Sequence, residues 1–412
     1  MVSVVITGIA LSLVGVALVS QAASEPPVAR KIVVFQSGVD EPAKEALMKN
    51  FGGEKIKDLP LVNGMAVLLS PQAEKALVKQ AGVLRIDNDD VVFALKGKPQ
   101  PSPQPAEEMA WGVNRIDADH VWAETRDQAA LPVSRTDANT GQGVKVAILD
   151  TGIDIDHLDL AVSGGVNVLG PFRTEKYNDD NGHGTHVAGI VAARDNEIGV
   201  VGVAPNAKLY AVKAFNRKAI GFDSDIIDGI DWSITNGMQV INMSFGGSDN
   251  PSLHAAIQAA YNAGIVMVAA AGNEGDDFVH YPARYPETIA VSATTIHDEL
   301  ASFSSYASDL VQVEAINLLA APGKEINSTW NNGGYYVGSG TSMATPHVVG
   351  TAALVIASGV SDINEDGRIN DEVMNILKDT AEDLNPITDP PTTGLDIYFG
   401  YGLVDAEAAV VR

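Results

Sequence analysis

The 412-residue chain reads as an α/β protein: a mostly parallel sheet with helices on both faces, preceded by a small α+β unit. Three observations predict this. From Ala106 onward, apolar strand-like runs alternate with amphipathic helical stretches. Residues 31–95 carry a separate set of strand and helix signals. Between them, Lys96 to Pro105 holds Pro99, Pro101, Pro103 and Pro105, a composition that keeps a linker extended and exposed. At 46% hydrophobic residues, the chain can bury a large core in more than one domain.

The elements follow in order. Val4 to Val19 is almost purely apolar and ends in Ser20-Gln21-Ala22-Ala23-Ser24, so residues 1–23 read as a secretory signal with a small-x-small boundary after Ala22. Met1-Val2-Ser3 carries no lysine or arginine and the apolar run is long for a signal, which makes an uncleaved N-terminal anchor the alternative. Lys31–Phe35 reads as a strand, Pro42–Phe51 as a helix and Gly64–Leu69 as a strand. Pro71–Gln80 reads as a helix capped by Ser70 and closed by Gly82. Val83–Ile86 and Val91–Leu95 are further strands. The unit is read as strand-helix-strand-strand-helix-strand, the split βαβ order.

In the larger part, Val144–Leu149 is a buried strand ending in Asp150-Thr151-Gly152, and Gly184–Ala193 is a helix. Leu209–Ala214 and Val240–Met243 are strands with a helix from about Ser224 to Asn236 between them. Leu253–Ala263 is a helix, and Ile265–Ala270 and Ile289–Ala293 are strands. Gly338-Ser339-Gly340 leads into an apolar helix entered at Ser342 and running to about Ala357. Pro346 is expected to be tolerated among first-turn N–H groups that lack an acceptor. Thr125–Thr140 reads as a surface insert.

Composition narrows the chemistry. The absence of cysteine excludes disulfides, thiol catalysis and zinc-thiolate sites. The formal net charge is −25, and residues 1–105 are nearly neutral (11 basic, 10 acidic), so the excess acid lies beyond them. Such a surface argues against nucleic acid as a partner and favours cation binding and solubility.

Four positions stand out. Asp150 lies just past a strand, where open α/β sheets bind ligands, although an Asx-turn is an equal reading. His183 begins a helix in Asn181-Gly182-His183-Gly184-Thr185-His186. Two histidines three apart suggest a metal, but no glutamate lies beside them as in a zinc-protease helix. Asn273 follows the strand run ending Ala270-Ala271-Gly272. Ser342 stands at a helix N-terminus among small residues, where a serine is either a cap or a nucleophile. Together they supply what acyl transfer needs: a nucleophile in Ser342, a base in His183, an orienting carboxylate in Asp150, and oxyanion donors in Asn273 and the Ser342 amide.

Asp150-Thr151-Gly152-Ile153-Asp154, Asn181 to Gly189 and Gly340-Thr341-Ser342-Met343-Ala344-Thr345-Pro346-His347 resemble, in order, the three signature blocks of subtilisin-like serine proteases. Ala270-Ala271-Gly272-Asn273-Glu274-Gly275 resembles the family's oxyanion block, and the resemblance runs over residues 106–412. It implies a serine endopeptidase acting on protein and peptide substrates as a monomer, secreted or cell-surface. Residues 31–95 would be its inhibitory, ferredoxin-like propeptide and folding aid, whose last strand leads into the active site. Substrate would bind as an added strand between Ser244-Phe245-Gly246 and Ala219-Ile220-Gly221. Ala270-Ala271-Gly272 would wall the primary pocket, with His280 at its base and medium-sized apolar P1 residues preferred. Asp223 stands where relatives carry a tyrosine lid, implying a more open or more polar distal pocket. The resemblance further implies structural calcium, held by Glu107 (Glu108 being the alternative), Asp159, Asn196 and the carbonyls of Arg194, Ile198 and Val200. Independently, Asp362, Asn364 and Asp366, with Gly367 sixth, follow the EF-hand spacing, but position twelve is Val373 and Glu372 falls one short.

Overall fold

The computed structural model describes residues 28–94, 106–122, 139–384 and 394–412. The apolar run Val4–Val19, the proline-rich linker, Leu95 and all but the last two residues of the Thr125–Thr140 insert lie outside them.

The N-terminal unit runs β1 (Ala29–Phe35), α1 (Glu41–Asn50), β2 (Glu54–Leu59), β3 (Gly64–Leu69), α2 (Pro71–Leu77), β4 (Val83–Asn88) and β5 (Val91–Ala94). Asp40 and Ser70 cap the two helices by accepting from Ala43 N (2.9 Å) and Ala73 N (3.2 Å). The first four strands form an antiparallel sheet in the order β2-β3-β1-β4. Two differences from the sequence reading matter. The second strand of the split βαβ order is Glu54–Leu59, not recognised from its charged residues. The segment Val91–Ala94 leaves this sheet altogether. Strand β1 is apolar on both faces for a reason. Val33 and Phe35 pack under α1 and α2 with Met48 and Leu77, while Ile32 and Val34 join the core of the larger domain.

The larger domain is built on seven parallel strands: β6 (Lys145–Asp150), β7 (Val162–Asn167), β8 (Lys208–Lys213), then, past the edge strand β9 (Ile220–Phe222), β10 (Val240–Met243). Past the short edge strand β11 (Phe245–Gly246) come β12 (Val266–Ala270), β13 (Ile289–Thr294) and β14 (Leu319–Pro322). The sheet order is β14-β13-β12-β10-β6-β8-β7. Central strands are buried on both sides, as their continuous apolar runs require. On one face Val146, Ile148, Val240 and Val268 pack against α3 (His183–Ala192) and α6 (Thr341–Ala357). On the other, Ala147, Leu149, Ile241 and Met267 pack against α4 (Asp223–Thr235) and α5 (Pro251–Asn262).

Helix α6 is buried almost all round, so it threads the core and does not lie on it. It starts at Thr341, which makes Pro346 its sixth residue, inside the helix. The expectation that Pro346 sits among first-turn N–H groups is therefore corrected: it removes a helical hydrogen bond. The carboxyl ends of β6, β10 and β12 deliver Asp150, Ser244 and Asn273 to one side of the sheet.

Candidate active site

Asp150 closes β6 and is fully buried. His183 opens α3, and its Nδ1 lies 2.8 and 2.9 Å from the two Asp150 carboxylate oxygens. Contact this close needs a helix pressed onto the strand end. Gly184 permits it, since a Cβ there would collide with the Gly152 carbonyl oxygen and come within 3.1 Å of Asp150 Cβ. Gly182, at φ +115°, caps the helix against the Trp330 ring with no room for a side chain. Asp179 holds this entry together by accepting from Gly182 N (3.0 Å), Thr185 N (3.0 Å) and the Thr185 hydroxyl (2.6 Å). Burial acts to lower the His183 pKa, but the Asp150 carboxylate, with Asp179 beyond it, outweighs burial and raises it above the ordinary value. His183 Nε2 is buried and has no hydrogen-bond partner. His186 turns its Nε2 to Tyr336 O at 2.8 Å, and burial lowers its pKa to about 3, so that ring stays neutral.

Ser342 is buried at the start of α6, which packs directly along α3. Its Oγ donates to Ser244 O (3.0 Å), and Ser244 Oγ donates to Ser342 O (2.9 Å). This reciprocal pair follows from Pro346. Four residues on, proline has no N–H to offer the Ser342 carbonyl, and the Ser244 hydroxyl takes that place. Asn273 Oδ1 accepts from both the backbone N–H and the hydroxyl of Thr341, each at 2.9 Å. The amide is thereby oriented with its NH₂ toward Gly340, where a Cβ would lie 3.1 Å from Nδ2. Thr341 and Asp179 were not singled out from sequence. Thr341 adjoins Ser342 in the sequence, which was a usable signal, whereas Asp179 stands four residues before His183.

Strand β5 lies between β9 and β11, antiparallel to both. Phe93 stands opposite Ile220 and Gly246, Val92 opposite Gly221, and Ala94 opposite Phe245. The edge expected at Ala219-Ile220-Gly221 is shifted by one residue to Ile220–Phe222. Ala219, at φ +60°, contributes its carbonyl to Ala94 N at 3.1 Å. Phe245 is buried against Phe215 (5.1 Å between ring centroids) and offers backbone, not side chain, to the cleft. Ala270 and Ala271 are buried at the end of β12. The His280 ring lies where Cβ atoms on Gly272 and Gly246 would strike the residue, and its Nε2 pairs with Glu274 at 2.9 Å. Asp223, expected to leave the distal pocket more open or more polar, is covered in this form of the chain. Asp223 is buried, accepting from Asn250 Nδ2 (2.7 Å) and Asp90 N (3.2 Å), and burial raises its pKa to about 7.

The Asp159 loop stands apart from the cleft. Asp159 is buried, with Oδ2 accepting from Val200 N (3.0 Å) and Tyr335 OH (3.3 Å) and Oδ1 left with no hydrogen-bond partner. Burial, reinforced by Glu107, pushes its carboxyl pKa up to about 7. Glu107 accepts from Asn196 N at 2.7 Å, whereas Glu108 is bonded to Asn327. Arg194 N donates to Asp159 O, and Ala106 pairs with Ile198 beside it. Two converging carboxylates and an orphaned buried oxygen fit a hard cation. Asp362, Asn364 and Asp366 lie in the turn that enters α7 (Asn370–Asp379), away from both places.

A parallel α/β sheet with an Asp-oriented histidine and a helix-borne serine at its carboxyl edge defines a class of hydrolase, and the comparisons name it. The model of the subtilase family, Peptidase_S8, matches residues 141–402. Subtilisin NAT of Bacillus subtilis subsp. natto is 37% identical over 95% of this chain and 93% of its own. A subtilisin of Bacillus pumilus is 44% identical over 68% of this chain and 96% of its own, and an alkaline protease of Alkalihalobacillus alcalophilus 39% over 86% and 81%. The chain belongs to the subtilase family; it is a subtilisin-like serine endopeptidase.

Proposed function

We propose that the chain is made as a self-processing zymogen in which Ser342 is the nucleophile, His183 the general base and Asp150 the residue that orients and stabilises the imidazole. The observation that carries this reading is the imidazole of His183, held at Nδ1 by Asp150 with Nε2 buried and unpartnered. In this mechanism Ser342 Oγ exchanges its bond to Ser244 O for one to that nitrogen. Oγ attacks the peptide carbonyl as Nε2 accepts its proton. The oxyanion meets Asn273 Nδ2 and the Ser342 N–H, one of the first helical donors with no acceptor in the helix. Nε2 then protonates the leaving amine, and water repeats the sequence on the acyl-enzyme. A fluorophosphonate probe should label the processed enzyme and fail to label Ser342→Ala. Labelling of both would remove Ser342 from this role.

Residues 31–95 act as the inhibitory propeptide and folding aid. Strand β5 occupies the groove that substrate would enter, and its next residue, Leu95, opens the segment that must be cut, after Leu95 or within the linker up to about Ala106. N-terminal sequencing of the active form locates the cut. His280 narrows the primary pocket and favours medium-sized apolar P1 residues. Calcium would be held by Asp159, Asn196 and Glu107 with the carbonyls of Arg194, Ile198 and Val200, and it supplies charge balance that locks the loop. Residues 1–23 act as a secretory signal, with an uncleaved N-terminal anchor as the alternative; they lie outside the described residues, among which no helix is long and apolar enough to cross a membrane.

A further inference from the structure

We propose that residues 362–372 form a second calcium site, separate from the Asp159 loop and closed by Glu372 from the first turn of α7. Oxygen-bearing side chains recur at Asp362, Asn364 and Asp366, and the sixth residue, Gly367, has φ +85°, the sharp reversal that a calcium loop requires. Asp362 Oδ2 accepts from Gly367 N at 2.8 Å and Asn364 Oδ1 from Asp366 N at 3.0 Å, so the turn is already wound.

A self-contained turn does not account for Glu372. This side chain is only 6% exposed. Its Oε1 reaches back to the loop, accepting from Ile363 N (2.9 Å) and Asn364 N (3.3 Å), while Oε2 is buried with no hydrogen-bond partner. Oδ1 of the adjacent Asp371 is likewise buried with no donor from the rest of the fold, its carboxyl lies within reach of that of Glu372, and its Oδ2 accepts from Asn364 Nδ2 at 2.6 Å. Burying carboxylate oxygens without a donor or a cation is costly, and a divalent ion seated against the loop removes that cost.

The register explains the missing acid at position twelve. Val373 is fully buried in the main core, so its side chain is committed to packing. Helix α7 begins at Asn370, the ninth position, and this early start lifts Glu372 into the helix's first turn, where it bends toward Ile363 and Asn364. The loop is thus one residue tighter than an EF-hand and closes at position eleven. Asp366 is paired with Arg368, whose Nε lies 3.0 Å from Oδ2 and whose guanidinium also contacts Asn262. A cation must displace that guanidinium, so Arg368 opposes binding.

The test uses the full chain carrying Ser342→Ala to prevent self-digestion, titrated with calcium in a calorimeter and followed by thermal unfolding. Glu372→Gln and Asp362→Asn should each bind one calcium ion fewer per chain than this parent. Asp366→Asn, at an exposed position that does not threaten folding, should bind at least tenfold more weakly at one site, and Arg368→Ala should bind several-fold more tightly. Unchanged stoichiometry and affinity in Asp362→Asn, Asp366→Asn and Glu372→Gln would overturn the proposal, as would magnesium displacing calcium from this site at equal concentration. Asp159→Asn separates the two sites. If it alone changes binding, this inference fails, and if Glu372→Gln alone changes binding, the inference stands and the Asp159 reading fails.

Discussion

At His183, burial and a carboxylate pull in opposite directions, and the carboxylate prevails. In the proposed mechanism the raised pKa belongs to a base that must be neutral, so the acid limb of kcat/KM should lie above the ordinary histidine value of about 6.5. A pH–rate profile checks this. Asp150→Asn leaves Nδ1 without its acceptor and should cost on the order of 10⁴-fold in kcat, with KM little changed. Asn273→Ala should cost about 10²–10³-fold in kcat. Thr341→Val removes one of the two bonds that aim Asn273 and should cost about tenfold, the size of one neutral hydrogen bond. His280→Gly opens the pocket floor and should raise kcat/KM for Phe and Tyr at P1 relative to Leu. A wild-type enzyme that already cleaves fastest after Phe or Tyr would contradict the P1 reading.

At the scale of elements, the turn between β4 and β5 has two tasks. Asp89 accepts from the N–H (2.9 Å) and hydroxyl (2.9 Å) of Ser224, capping α4, whose own N-cap residue Phe222 offers no side-chain bond. Asp90 meets Asp223 through two backbone-mediated bonds. Asp223 is protonated in this complex up to about pH 7, whereas an exposed aspartate titrates near 3.9. The complex therefore holds an extra proton between those values, and propeptide affinity should fall as pH rises through that window. Inhibition constants for the isolated 28–94 segment at several pH values test this, and Asp223→Asn should flatten the dependence. These same elements mark what could be read beforehand. Val144–Leu149 and Ile265–Ala270 announced themselves because buried parallel strands are continuous apolar runs. Glu54–Leu59 did not, because Lys57 occupies a buried position through its 2.6 Å pairing with Asp225, a partner 168 residues away. Val162–Asn167 was hidden by Gly164 and Gly165; a Cβ at Gly165 would strike Ala211 O on the neighbouring strand. The site residues were legible as contiguous blocks. The roles of the residues that aim them were less so: Thr341 and Asp179 were not singled out, and Ser244, read only as part of a substrate edge, holds the Ser342 carbonyl from 98 residues away.

For the molecule as a whole, stability should depend on pH and calcium together. Without a cation, Asp159 keeps its proton up to about pH 7 in the folded state and loses it near 3.9 when unfolded. Its contribution is thus fully present below about pH 4 and is lost as pH rises to 7. Calcium binds the ionised form and should reverse that trend. Melting temperatures of the Ser342→Ala chain from pH 4 to 8, in chelator and in calcium, should diverge as pH rises, and Asp159→Asn should remove that part of the divergence. The net charge of −25 adds self-repulsion that bound divalent ions relieve. Finally, the β5 strand follows in the chain directly from a four-stranded sheet that docks on α4 and α5 through Lys57–Asp225, Arg85–Ser252 and Asp87–Ser252. Cutting the linker breaks none of these contacts. Maturation of a population should therefore show a delay, then an acceleration once the first free molecules digest the inhibitors of the others. A trace of mature enzyme added at the outset should abolish the delay.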